Sequence, residues 1–273
     1  MTHGCEELTG SPGLTLPFLG RKKMKLRKIT SLLALSASLS TLSMGQITVY
    51  LSPNDIETAE DSGIAGVTTE TFNSRPTGSV NGFAGAVGTY TGDGTVIANN
   101  LYGGNNEGNY LGIISGSTST LSFASPVEYF GLYFTAGDGR NSFEVKSAGV
   151  TLLSFNTQRL IQLLPNTANG RITAIDGNEY RTRDYYGQPS SNLNPSEPYS
   201  YIHIIGGAGT TFDQVVLSQA SGGAIFESDN HSIRATAPAI PATFVNITQA
   251  VPEPTSAILG LFGAVSLLVR RRR

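Results

Sequence analysis

Between Gln46 and Ala250 the chain never sustains a helical period. Its apolar residues fall instead in short β-branched or aromatic segments bounded by turn-forming clusters. The segments are Ile47–Leu51, Gly94–Ala98, Tyr110–Ile114, Thr120–Phe123, Val127–Phe134, Ser142–Lys146, Val150–Phe155, Arg171–Ile175, Tyr199–Ile205, Phe212–Ser218 and Ala224–Glu227. Clusters such as Thr91-Gly92-Asp93-Gly94, Gly137-Asp138-Gly139 and Asp176-Gly177-Asn178 separate them. Many short strands at this spacing point to an all-β fold, a jelly-roll-like β-sandwich, rather than to anything α/β. One short helix is expected, Thr157–Leu164, stopped by Pro165. Asp184–Pro198, with Gly187, Pro189, Pro195 and Pro198, reads as a long exposed loop.

Two segments carry more detail. Nearly every residue of Tyr129–Phe134 is apolar, which predicts a strand buried on both faces, with Gly131 admitting a close neighbouring strand. In Phe212–Leu217, strict alternation puts Phe212, Gln214 and Val216 on one face and Asp213, Val215 and Leu217 on the other. That mixture predicts a strand covered on both sides.

The two ends differ from this body. Met24-Lys25-Leu26-Arg27-Lys28-Ile29-Thr30 is a basic n-region and Ser31–Leu42 an apolar h-region, with Ser43 and Gly45 placed for cleavage before Gln46. The expectation is a signal peptide over 24–45, with residues 1–23 a mis-assigned start. At the other end, Pro252, Glu253 and Pro254 form a rigid polar motif held extended by its prolines. Then comes the uncharged run Ala257–Val269, in which Ala257, Leu261, Val265 and Val269 mark successive turns of a single hydrophobic helix, and last the block Arg270, Arg271, Arg272 and Arg273. The run is a marginal membrane span with its basic stop on the cytoplasmic side.

This ending, Val251-Pro252-Glu253-Pro254-Thr255-Ser256 followed by an apolar helix and an arginine cluster, resembles the PEP-CTERM sorting signal of exported bacterial proteins. The resemblance covers residues 251–273. It implies a membrane stage at which an exosortase recognises the motif and cuts near it, after signal peptidase has acted at the other end. The body would then pass to the cell surface or extracellular matrix. Within the body, Glu70-Thr71-Phe72-Asn73, the stretch from Leu121 to Phe143 and the stretch from Phe212 to Ile233 resemble exosortase-dependent surface proteins of jelly-roll, lectin-like appearance. Phe134 stands where that pattern leads one to expect a tryptophan.

Charge narrows the partners. Of the chain's 18 Lys and Arg, 8 lie in residues 46–252, against 17 of its 20 Asp and Glu, a net of −9. Such a surface disfavours nucleic acid and suits a soluble extracytoplasmic protein or one that collects divalent cations. An exopolysaccharide matrix as partner comes with the sorting resemblance alone. The only cysteine, Cys5, lies outside the body, which excludes a disulfide framework or thiol chemistry there.

Chemistry-bearing residues are sparse. His203 sits in Tyr201-Ile202-His203-Ile204-Ile205, the setting of a half-buried strand histidine, and His231 follows Asp229-Asn230. There is no Gly-x-Ser-x-Gly elbow and no His-Glu-x-x-His pair. Glu128, Asp138, Glu227 and Asp229 could face one another as a glycosidase pair must, but no spacing selects a pair. Calcium is the ion that Asp138 with Asn141, and Asp229 with Asn230, would suit, with Asx turns as the alternative. Tyr102, Tyr110, Tyr185, Tyr186 and Tyr199 are candidates to stack on sugar rings. The expectation is a non-catalytic binding or structural module with no cofactor beyond calcium. The rival is a carbohydrate-active enzyme carrying the same export signals.

Overall fold

The computed structural model describes residues 45–99, 101, 107–188, 194–240 and 247–251. All of the expected signal peptide 24–45 except Gly45, the motif Pro252, Glu253 and Pro254, the helix expected over 257–269 and Arg270–Arg273 lie outside the described residues. Among those described, no helix is long and apolar enough to cross a membrane.

The strands are β1 (Gly45–Leu51), β2 (Thr68–Glu70), β3 (Gly78–Gly85), β4 (Gly88–Ile97), β5 (Tyr110–Ile114), β6 (Thr118–Val127), β7 (Tyr129–Thr135), β8 (Asn141–Ser147) and β9 (Val150–Asn156). After a short helix α1 (Thr157–Leu163) come β10 (Arg171–Thr173), β11 (Glu179–Arg181), β12 (Ser200–Gly206), β13 (Phe212–Gln219), β14 (Ile225–Arg234) and β15 (Ile247–Val251). Every ladder is antiparallel. One large sheet runs in the order β15-β1-β12-β7-β14-β5-β4-β6-β13-β8-β9, with β2 beside β14 and β3 beside β4, while β10 and β11 form a separate pair. The all-β expectation holds, in a sheet so curved that it is nearly barrel-like.

The curvature has a visible hinge. Along one edge of β4, Thr95–Ile97 pair with β5 and Thr89–Gly92 pair with β6, so the strand passes from one layer to the other near Asp93-Gly94. Gly92 takes φ +89°, and a Cβ there would meet the Thr118 carbonyl, so only glycine fits the bend.

Alternation along β1, β7 and β12 builds two cores. Ile47, Val49, Leu51, Phe130, Leu132, Phe134, Ile202 and Ile204 point into the main apolar interior. Tyr50, Tyr129, Tyr133, Tyr201 and Ile205 point the other way into a second cluster, with Ala59, Ile64, Ile175 and Tyr199 from the connections. All seven residues of β7 are therefore buried, as its sequence predicts. The space at Gly131 is taken by side chains rather than by a strand backbone: a Cβ there would lie 2.5 Å from the Tyr129 hydroxyl and 2.6 Å from that of Tyr201.

β13 departs from strict alternation. A register shift between Phe212 and Gln214 lets Phe212 join Val215 and Leu217 in the core, while Asp213, Gln214 and Val216 stay partly exposed. One face is buried, not two, because the bulge resets the phase after Phe212. The helix is as expected: Asn156 Oδ1 accepts from Arg159 N at 2.9 Å as the N-cap, and Pro165 follows the C-cap Leu164. The 184–198 segment does not lie free along its length. It opens with a 3-10 turn at Thr182–Tyr185, and Tyr186 bridges to Pro198.

Candidate functional site

Where β7 ends, the chain turns sharply. Ala136 adopts φ +42°, Asp138 N donates to Ala136 O at 2.7 Å and Gly137 N donates to Pro198 O at 3.2 Å. The second of these bonds ties the turn to the end of the proline-rich segment, where Glu197 N donates to Asn194 O at 2.9 Å. The start of β14 closes the third side. Between them lies an open pocket of about 340 Å³ lined by Ala136, Asp138, Asn194, Glu197, Ala224, Ile225 and Glu227.

Three of those side chains are acids. Glu227 is 3% exposed, paired through its backbone with Thr135 of β7 and Gly112 of β5. Burial, and then the negative charges of Glu197 and Asp138, push its carboxyl up to about 9, so it is protonated at neutral pH. Burial also raises Glu197, whose Oε2 meets no hydrogen-bond partner. Asp138 is the anchored member: Oδ1 accepts from Arg140 N at 2.8 Å, and Oδ2 accepts from Gln219 Nε2 at 3.1 Å and Ala224 N at 3.2 Å. A Cβ on Gly223 would run into Gln219 Nε2, so glycine keeps this anchor in place.

The four residues named for calcium fall in separate settings. Asp138 lines the pocket just described, and Asn141 is fully buried beneath the turn, its Nδ2 donating to Ala136 O at 3.4 Å. Asn230 lines a second acidic hollow of about 370 Å³ with Asp55, Glu57, Thr58, Asp61, Asn73 and Glu107, and its Nδ2 donates to Glu57 O at 2.9 Å. Asp229 is 1% exposed, opposite Tyr133. With N–H donors on both Asp138 oxygens, the β7–β8 turn has the form of an Asx anchor rather than an open cation site. Among the described residues no three of His, Cys, Asp and Glu come together to hold a metal ion.

Of the four carboxylates weighed as a facing pair, the fold brings Asp138 and Glu227 to one pocket. Glu128 is elsewhere, accepting from Ala237 N at 2.8 Å. Glu197 escaped the sequence reading because it sits in the proline-rich segment, with no periodic neighbours to assign it a face. Its flanking Pro195 and Pro198 were the available signal, since they stiffen the approach of Glu197 to the sheet.

His203 and His231 are buried outright, His203 more deeply than the half-buried setting expected for it. His203 Nε2 lies 2.8 Å from Ser52 Oγ and its Nδ1 2.9 Å from the Tyr129 hydroxyl. His231 Nδ1 lies 2.8 Å from the Tyr90 hydroxyl and its Nε2 3.0 Å from Ser228 Oγ. Burial holds both rings down at about 3, so they stay neutral. Each is a serine–histidine contact in form, but both serines and both histidines are fully buried, and neither contact opens to substrate. Of the candidate stacking tyrosines, Tyr110, Tyr185 and Tyr199 are buried and their rings are spent on packing, while Tyr186 is partly buried and its hydroxyl donates to Leu164 O at 2.6 Å. Tyr102 lies outside the described residues.

No protein-family model, curated protein or solved structure matches this chain.

Proposed function

We propose that the protein is an exported surface or extracellular-matrix protein, processed by signal peptidase and then by an exosortase at Pro252-Glu253-Pro254, whose body is a non-catalytic binding or structural β-sandwich. The observation that carries this reading is where the body ends. β15 runs to Val251, the residue before Pro252, and pairs with β1 so that Val251 lies opposite Gly45. The residue before the N-terminal cut and the residue before the sorting motif thus sit across one ladder. A cut after Val251 would leave the sheet intact, whereas one inside β15 would strip β1 of its outer partner. The jelly-roll form belongs to the same proposal, supported by one antiparallel sheet in which β12-β7-β14-β5 and β6-β13-β8-β9 run on either side of β4. The protein is membrane-anchored only during sorting, and its net charge of −9 over residues 46–252 suits a polysaccharide matrix better than a nucleic acid.

Intact mass and cell fractionation of the native protein beside Glu253→Ala test the reading. The native form should begin at Gln46 and end just beyond Val251, while the variant keeps its arginine block and remains in the membrane. Native protein that retains Arg270–Arg273 would sink it.

The pocket favours a second reading, the carbohydrate-active enzyme. A buried, protonated Glu227 beside Asp138 and Glu197 is the kind of set from which a general acid and its partner are drawn. Hydrolysis of a polysaccharide by the native chain, abolished in Glu227→Gln, would decide for the enzyme.

A further inference from the structure

The acidic pocket carries more than its outline. Its lining holds Asp138, Glu197 and Glu227 and no Lys, Arg or His. Arg140 lines an adjoining depression with Gly139, Gly222 and Gly223, which shares Asp138 and Ala224 with the pocket. Glu227 is 3% exposed and reaches the pocket wall, and among the described residues its carboxyl meets no donor but its own backbone N–H. Glu197 takes a side-chain hydrogen bond from Asn194, but its Oε2 atom meets no partner. Standing alone, the buried Glu227 carboxyl stays protonated, and a cation placed beside it would let it ionise at neutral pH. A group that is both a donor and positively charged would do so.

Its chemistry can be narrowed further. A bare metal ion needs several oxygens around one centre, and these acids do not converge on one. A cavity of about 340 Å³ is at the small end of those that take an organic molecule. A primary ammonium offers three donors and no acceptor, which suits the free Glu197 Oε2 and an ionised Glu227. Ala136, Ala224 and Ile225 supply an apolar wall for the carbon frame that bears it.

We propose that this pocket binds a small ligand bearing a primary ammonium group, with Glu197 and Glu227 as its charge partners and Asp138, fixed by Arg140, Gln219 and Ala224, as the rim carboxylate. The assignment rests on the body being a binding module and is independent of the sorting tail.

The test uses the full purified chain in titration calorimetry at constant ionic strength, with glucosamine, putrescine, N-acetylglucosamine and calcium chloride as probes. Glucosamine or putrescine should bind at least about tenfold more tightly than N-acetylglucosamine, which has the same ring without the charge, a difference of roughly 1.4 kcal/mol. Whichever amine binds more tightly identifies the source as amino sugar or polyamine. Glu197→Gln and Glu227→Gln should each weaken the amine about tenfold or more, while Glu144→Gln, on β8 and outside the pocket, should leave it unchanged. Equal binding of N-acetylglucosamine, tighter binding of calcium than of either amine, or no heat with about 10 mM amine, a Kd beyond the millimolar range, would each overturn the assignment. A failed amine titration leaves the Glu253→Ala result standing, and the converse also holds.

Discussion

The two faces of β7 and β12 were built from the same strands by opposite rules. The inner face is dry: Phe130, Leu132, Phe134, Ile202 and Ile204 pack against apolar side chains of the facing layer. The outer face is buried as thoroughly, yet it presents Tyr129, Tyr133, Tyr201 and His203. What covers each face explains the difference. Strands cover the inner face, and their backbone groups are already paired in ladders. Irregular chain covers the outer one and brings groups that need partners. Ser52 supplies N–H to Tyr201 O at 3.0 Å, the Tyr185 hydroxyl reaches Ser52 O at 2.7 Å, and Ser62 Oγ sits 2.6 Å from Ser52 Oγ. Aromatic rings with polar tips fill volume and satisfy those groups together. His231 shows the same device under stress inside the main core, with Phe72 and Phe130 edge-on to its ring and Tyr90 stacked near it.

Breaking the inner face should cost most. Phe130→Ala removes a fully buried ring from the centre of the sheet, and urea denaturation should show a loss of roughly 3–5 kcal/mol. Acid comes next, because it strikes both faces through their histidines. The rings titrate near 6.5 unfolded and about 3 folded, so their contribution is full above 6.5 and is lost as pH falls towards 3. Thermal melts from pH 7 to pH 4 should show a steep fall, reduced when either histidine is replaced by Gln. An acid-insensitive protein would mean that the rings are solvated. Tyr129→Phe attacks the outer face alone: it leaves His203 Nδ1 without its hydroxyl partner and should cost about 1–3 kcal/mol in the same denaturation.

Glu227→Gln carries the comparison to the pocket, with the sign reversed. Its acid titrates at 4.5 unfolded and about 9 folded, so its contribution is present below 4.5 and is lost as pH rises through 9. The variant should melt higher than the native protein at pH 8, by roughly 1–3 kcal/mol, and no higher at pH 4. Lys146→Ala sets the floor. It removes a surface pair with Glu144 at 2.9 Å, partly open to water, and should shift stability by less than about 1 kcal/mol.

How much of this was legible varies along the chain. Tyr110–Ile114 is β5 residue for residue, and the helix stops one residue early at Leu163, because apolar runs between turn clusters specify themselves locally. β3 could not be seen. Its Gly78-Ser79-Val80-Asn81-Gly82-Phe83-Ala84-Gly85 is largely exposed and weak in propensity, and it is a strand because β4 lies beside it. Val127–Phe134 reads as one run, yet it divides at Glu128 between two strands that meet different partners.

The site divides in the same way. Asp138 and Glu227 were visible as acids next to turns, but they lie 89 positions apart, and Glu197 lay in a segment without any period. The sequence by itself determined an all-β body without cysteine and acidic in balance, because composition and local pattern need no partner to act. Tertiary structure alone decided which acids share a pocket, which tyrosines lose their faces to packing, and that Gly45 meets Val251. Those facts depend on pairing between distant strands, and pairing register is a property of the closed sheet rather than of any stretch within it.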